Sequence, residues 1–262
     1  MKRAGELLGS AQMLRPRAAL ALVVLSVCSF AAPAWADPIQ LSIQTPDFLI
    51  PLDGQTGTLN VFADGSTTGS GFDALGTQSF TLGANSTSSG TLYLNLYFSG
   101  FPLGDPDYEV DSAYLQFTVD DFDFLTDQVT QTVTLKEMAI LRKINGEALT
   151  SPINLADYLP PGTSDTDDEL ITLDPIPLMP LLSASDFTDP FILSLKLTAI
   201  AKNYSSSSVK LVNTPESILT DVNMTVTATS VPEPSTVMLL GVGLLGVFSR
   251  RRMRGVPPAS LK

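Results

Sequence analysis

Between residues 37 and 230, apolar and polar side chains alternate with a period of two. Leu59, Val61 and Ala63 alternate with Thr58, Asn60 and Phe62, and Leu92, Leu94, Leu96 and Phe98 repeat the pattern. Ala113, Leu115, Phe117 and Val119 point one way while Tyr114, Gln116 and Thr118 point the other. Residues 129–135, 191–199 and 222–228 alternate in the same manner. Successive side chains of a strand face opposite sides, so this period predicts strands with one buried face. Asn145-Gly146 stands between two short apolar segments, and both residues tolerate positive φ. That dipeptide predicts a hairpin joining residues 138–144 to those just after Glu147. No run of ten residues or more keeps helical spacing; residues 154–158 make at most one turn. The expectation is an all-β domain of about eight to ten short strands. A β-sandwich of jelly-roll or immunoglobulin-like type fits it better than a closed barrel.

Residues 150–190 break the pattern, with prolines at 152, 160, 161, 175, 177, 180 and 190 and the acidic group Asp165, Asp167, Asp168 and Glu169. The stretch reads as a long surface excursion, a flap over one end of the sandwich. A boundary between two small domains is the other reading, although residues 191–230 offer only three strands, too few for a core of their own. Residues 205–208 read as a mobile turn, residues 65–76 as a flexible glycine-rich loop. No internal repeat at a fixed period is present, which argues against a solenoid or propeller.

Both ends depart from the strand pattern. Lys2, Arg3, Arg15 and Arg17 precede an apolar stretch over residues 18–32, which Pro33 closes before Ala34-Trp35-Ala36. A basic region, an apolar region and small residues at a cleavage site predict a signal peptide over residues 1–36, handled by Sec-type export machinery and cut by signal peptidase before Asp37. Met13 is an alternative start. A retained anchor fits less well, because the stretch is short and ends in a cleavage site rather than a charged stop. The single cysteine, Cys28, falls inside this segment, so the exported chain has no thiol for a disulfide. A lipid anchor at Cys28 would need a small residue where Val27 stands.

At the other end, Val231-Pro232-Glu233-Pro234 precedes an apolar run over residues 237–248, followed by Arg250, Arg251, Arg252 and Arg254. The run predicts a short hydrophobic helix, well under the roughly 20 residues that span a bilayer comfortably. The arginines fit a cytoplasmic stop better than a protein core. Gly241, Gly243 and Gly246 allow close packing on another membrane helix. The order Val-Pro-Glu-Pro, short apolar helix and arginine cluster resembles the PEP-CTERM sorting domain of Gram-negative bacteria over residues 231–254. The further residues 255–262 extend past the point where that family usually stops. The resemblance implies recognition by an exosortase, an integral membrane cysteine protease, transient anchoring in the inner membrane by the tail, and association with exopolysaccharide.

Charge narrows the function of what lies between. The apolar share of 44% suffices for a core, and the whole chain carries a formal −12. Residues 37–230 hold 25 acidic and 6 basic side chains, a formal −19. Such a domain repels nucleic acid and anionic lipid and attracts divalent cations. The chain has no histidine, which removes His-dependent hydrolases and His-ligated metal sites. Residues 65–76 lack the lysine and following helix of a phosphate-binding loop.

Carboxylates remain as candidate chemistry. A pair drawn from Glu109, Asp120, Asp121 and Asp123 would be needed for glycoside hydrolysis, and no glycosidase motif surrounds them. Asp105, Asp107, Glu109 and Asp111 alternate, so an extended strand would crowd them on one face, with Asp120, Asp121 and Asp123 following the next strand. These seven are the candidate calcium ligands, read alternatively as a solvated acidic edge that discourages strand pairing. They are no EF-hand, since Val110 and Gln116 occupy the glycine and closing-glutamate positions. Tyr93, Tyr97 and Tyr114 sit opposite the core-facing residues, either to stack on sugar or as ordinary members of an outer sheet face. Asn85, Asn203 and Asn223 head glycosylation sequons, expected by chance. The expectation is a non-enzymatic exported cell-surface or matrix protein; the alternative is a carbohydrate-binding module or a carboxylate-dependent glycoside-active enzyme.

Overall fold

The computed structural model describes residues 38–99, 108–120, 127–163, 170–182, 186–187, 190–216, 218–230 and 243–244. The chain divides into two units between Trp35 and Ala36, and every described residue belongs to the second. The alternation becomes strands β1 (Ile39–Gln44), β2 (Thr56–Phe62), β3 (Thr67–Ser70), β4 (Gln78–Leu82), β5 (Thr87–Phe98), β6 (Tyr108–Val119) and β7 (Asp127–Thr130). They continue as β8 (Val133–Ile144), β9 (Glu147–Asn154), β10 (Ile171–Thr172), β11 (Ile176–Pro177), β12 (Phe191–Asn203), β13 (Val209–Asn213) and β14 (Leu219–Ser230).

Two main sheets form the sandwich. One runs β1-β14-β6-β10, with β11 also on β6; the other runs β3-β2-β5-β12-β8-β7, with β9 also on β8. β13 and β4 make a separate pair. Pairing is antiparallel except between β2 and β5, which run parallel with Leu59 opposite Leu94. The inward sets named from alternation supply the core: Leu92, Leu94, Leu96 and Phe98 from β5, Leu193, Leu195 and Leu197 from β12, Leu115 and Phe117 from β6, and Val222, Met224 and Val226 from β14. Each such side chain contributes about 1.5–3 kcal/mol by leaving water.

The hairpin at Asn145-Gly146 forms as read, with φ of 50° and 83° at the two turn residues and Ile144 opposite Glu147. Its asparagine does more than turn the chain. Asn145 Oδ1 accepts from the Ile192 backbone N–H at 2.8 Å, and Nδ2 donates to the Asp186 carbonyl. The single turn near residue 154 is a 3-10 turn over Leu155–Tyr158, with the Asn154 side chain accepting from the Ala156 N–H at its start.

Three local readings are corrected. Residues 129–135 are not one strand, because Thr130 Oγ1 accepts from the N–H groups of Thr132 and Val133 (3.3 and 3.1 Å) and closes a turn between β7 and β8. Hydroxyl side chains that bond nearby backbone compete with the sheet ladder in this way. Residues 65–76 include the edge strand β3, paired to β2. The proline-rich stretch is not a flap. Its residues Leu155, Ile171, Leu173, Ile176, Leu178 and Phe187 are buried, and β10 and β11 form the edge of the first sheet on β6. Pro177 lies opposite Tyr114 in such an edge strand, where a residue without an N–H is tolerated.

Candidate functional site

Of the seven candidate calcium ligands, Glu109, Asp111 and Asp120 are described; Asp105, Asp107, Asp121 and Asp123 lie outside the described residues. Glu109 and Asp111 are exposed near the start of β6. Asp111 is the extra residue of a bulge, since Ser112 pairs with Thr227 while Val110 pairs with Ala228. Asp120 follows the other end of the strand and donates its backbone N–H to the Ile218 carbonyl at 3.3 Å. At about 3.3 Å per residue, β6 holds Glu109 and Asp120 roughly 36 Å apart. Among the described residues, no three His, Cys, Asp or Glu side chains gather as metal ligands would.

The outer faces of the two sheets differ sharply in charge. β1, β6, β10, β11 and β14 contain no lysine or arginine, and Glu109, Asp111 and Asp221 stand on their solvent side. Asp221 is tied down there, accepting from Ser42 Oγ and Asn223 Nδ2, each at 2.8 Å. The other sheet reverses this. The half-buried or exposed positions of β8 and β12 include Lys136, Arg142, Lys143, Lys196 and Lys202, and no outward position of β2, β5, β8 or β12 is acidic.

Aromatic and amide side chains stand beside those cations, on the neighbouring strands β5 and β2. Tyr93 stands opposite Thr58 on one side and Lys196 on the other. The Arg142 guanidinium reaches across β12 to sit 5.8 Å from the Tyr93 ring centroid. Phe62 and Tyr97 stack with centroids 4.6 Å apart. Asn95 Nδ2 donates to Asn60 Oδ1 at 2.8 Å, and Asn60 Nδ2 donates to Thr68 Oγ1 at 3.0 Å. Lys202 Nζ lies 4.5 Å from the Tyr204 ring centroid. The Tyr204 phenol is held below its ordinary pKa, first by its hydrogen bond with Thr134 and then by Lys202.

The three tyrosines singled out in the sequence therefore separate. Tyr93 and Tyr97 share one outer face, while Tyr114, 45% exposed, lies on the other sheet. Arg142, Lys196, Asn60 and Asn95 were not among the candidates, although strand parity places each beside a tyrosine. Asn203, which heads a sequon, is 1% exposed. Its Nδ2 donates to the Gly83 and Ser207 carbonyls and its Oδ1 accepts from the Ser205 N–H, so its amide holds two loops together rather than facing solvent.

The last described strand, β14, ends at Ser230, opposite Tyr108 of β6; β1 flanks its other side over residues 221–226. Val231, Pro232, Glu233, Pro234, Arg250, Arg251 and Arg252 lie outside the described residues, and within the expected helix only Gly243 and Leu244 are described, both helical. Among the described residues, no helix is long and apolar enough to cross a membrane. A family model described as the PEP-CTERM protein-sorting motif matches residues 230–252. Neither the curated proteins nor the solved structures include a match to the chain. The chain thus carries a PEP-CTERM sorting motif, the mark of an exported protein processed by an exosortase, and this motif begins at the residue where the last strand ends.

Proposed function

We propose that this is a non-enzymatic surface or extracellular-matrix protein, an acidic β-sandwich delivered by an exosortase-type system and working among exopolysaccharide outside the cell. The observation that carries the reading is the junction at Ser230. A folded domain passes without a linker into a sorting motif that starts at residue 230. β14 lies between β1 and β6 over residues 221–226, and its last residues, 227–230, pair with β6 alone. The absence of histidine from the chain removes His-dependent catalysis. In this reading the arginines hold the tail at the cytoplasmic side of the inner membrane until the exosortase acts.

Replacing Pro232, Glu233 and Pro234 together by alanine should leave the sandwich folded and block its maturation. Cell fractionation with an antibody to the sandwich should then find the variant in the inner membrane and the parent protein in the surface or medium fraction. Equal surface amounts of the two proteins would rule out tail-directed sorting.

A further inference from the structure

We propose that the outer face of the seven-stranded sheet is a docking platform for an anionic polysaccharide strand. The inference rests on the extracellular reading above only in that such a chain is met outside the cell. Its physical basis is the segregation of charge. In a domain with 25 acidic and 6 basic side chains, five of the six cations, Lys136, Arg142, Lys143, Lys196 and Lys202, stand on β8 and β12, and no outward position of β2, β5, β8 or β12 is acidic. The opposite sheet carries acids and no cation. Solubility alone does not require this separation, since an acidic surface already keeps the protein dispersed. Four adjacent strands without an outward carboxylate inside a strongly negative domain present a local positive potential that selects an anionic partner.

The side chains beside the cations identify which anion. Half-buried Phe62, Tyr93 and Tyr97 leave part of their aromatic surface on the same sheet face for the carbon–hydrogen side of a sugar ring. Asn60 and Asn95, bonded to each other, keep amide donor and acceptor sites at the surface for hydroxyl groups. The Arg142 guanidinium, 5.8 Å from the Tyr93 ring centroid, is the side chain able to take a carboxylate by two hydrogen bonds. From Lys196 to Lys202 the row runs roughly 20 Å along β12, enough for several sugars in an extended chain. A nucleic acid is the weaker match. Its charge, about one per 1.7 Å of duplex, meets only five cations and the repulsion of the remaining domain. A polyuronate spaces its carboxylates far more widely and carries the hydroxyls that the amides and threonines here would satisfy.

Affinity electrophoresis of the full-length chain in gels containing polygalacturonate, dextran or a single-stranded oligonucleotide tests this directly. Polygalacturonate should retard the protein in a salt-sensitive manner, and dextran should not. The double variant R142Q/K196Q should weaken retardation at least about tenfold in Kd through loss of two charge-assisted contacts, whereas D111N on the opposite sheet should leave it unchanged. Arg142 and Lys196 are only half-buried, so the variant's melting temperature checks that the sandwich is intact. Absent retardation by polygalacturonate, equal retardation by dextran, full binding by R142Q/K196Q, or tighter binding of the oligonucleotide would each overturn the platform. A protein that reaches the surface normally yet ignores polygalacturonate would overturn the platform while leaving the sorting reading in place.

Discussion

Gly90→Ala should lower the melting temperature of the sandwich by about 6–12 °C, a loss near 3 kcal/mol for a domain of this size. Gly90 is buried in β5 opposite Ala199 of β12. A Cβ added there would lie 2.0 Å from the Pro51 carbonyl oxygen, 2.5 Å from its carbon and 3.1 Å from the Gln55 oxygen. All three atoms are backbone, so no side chain can swing aside. The loop over residues 51–55 is also bonded to β5 on both sides of the glycine. The Gly54 N–H donates to the Ser89 carbonyl at 2.9 Å, the Thr91 N–H donates to the Gln55 carbonyl at 3.1 Å, and Ser88 Oγ donates to the Leu52 carbonyl. An added methyl must either lift this loop and break those bonds or bend a strand held by neighbours on both edges. Thermal melting followed by circular dichroism measures the loss; a shift below about 2 °C would mean that the loop yields at almost no cost.

Phe191→Ala should cost about 3–5 kcal/mol, the usual range for emptying a buried phenylalanine site. Phe191 is fully buried at the start of β12. Its ring stacks on Phe187 at 5.6 Å and 9°, and meets Phe98 edge-on at 6.5 Å and 66°. These contacts join the last part of the proline-rich stretch to the seven-stranded sheet. Truncation should therefore loosen that stretch as well as lower overall stability, with new protease cleavage between residues 160 and 190. Phe191→Leu retains most of the volume and should cost under about 1.5 kcal/mol. Equal protease resistance in the alanine variant and the parent would show that the stretch is held by β10 and β11 alone.

Most of the fold was legible where one sheet face is buried. Leu92 to Phe98, Ala113 to Val119 and Val222 to Ala228 announce their strands because each alternate residue enters a common core. The Asn145-Gly146 turn was legible because its chemistry is local. Six strands were not named from the sequence: β1, β4 and β13 are short, although β4 alternates between buried and exposed residues, β3 reads Thr-Thr-Gly-Ser and is held by backbone pairing at the sheet edge, and β10 and β11 are two residues each, too short to show any period. Their burial depends on β6, which is distant in sequence. Of the seven candidate calcium ligands, Glu109 and Asp120 stand at opposite ends of β6 with a bulge at Asp111, while Asp105, Asp107, Asp121 and Asp123 lie outside the described residues. The charge asymmetry of the two outer faces follows from strand parity once the strands are paired, but pairing order is long-range information. No local pattern places β8 beside β12 or β12 beside β5.

The sorting motif is legible for a different reason, since a protease reads it as a linear sequence before or apart from folding. Intact-mass analysis of the surface product, from cells with and without the exosortase, tests the central claim most directly. The account predicts a mature species that begins at Asp37 and has lost or exchanged the tail after the Val231-Pro232-Glu233-Pro234 segment, with the unprocessed tail accumulating only when the exosortase is missing. A surface product that retains every residue through Lys262 in exosortase-containing cells would contradict it.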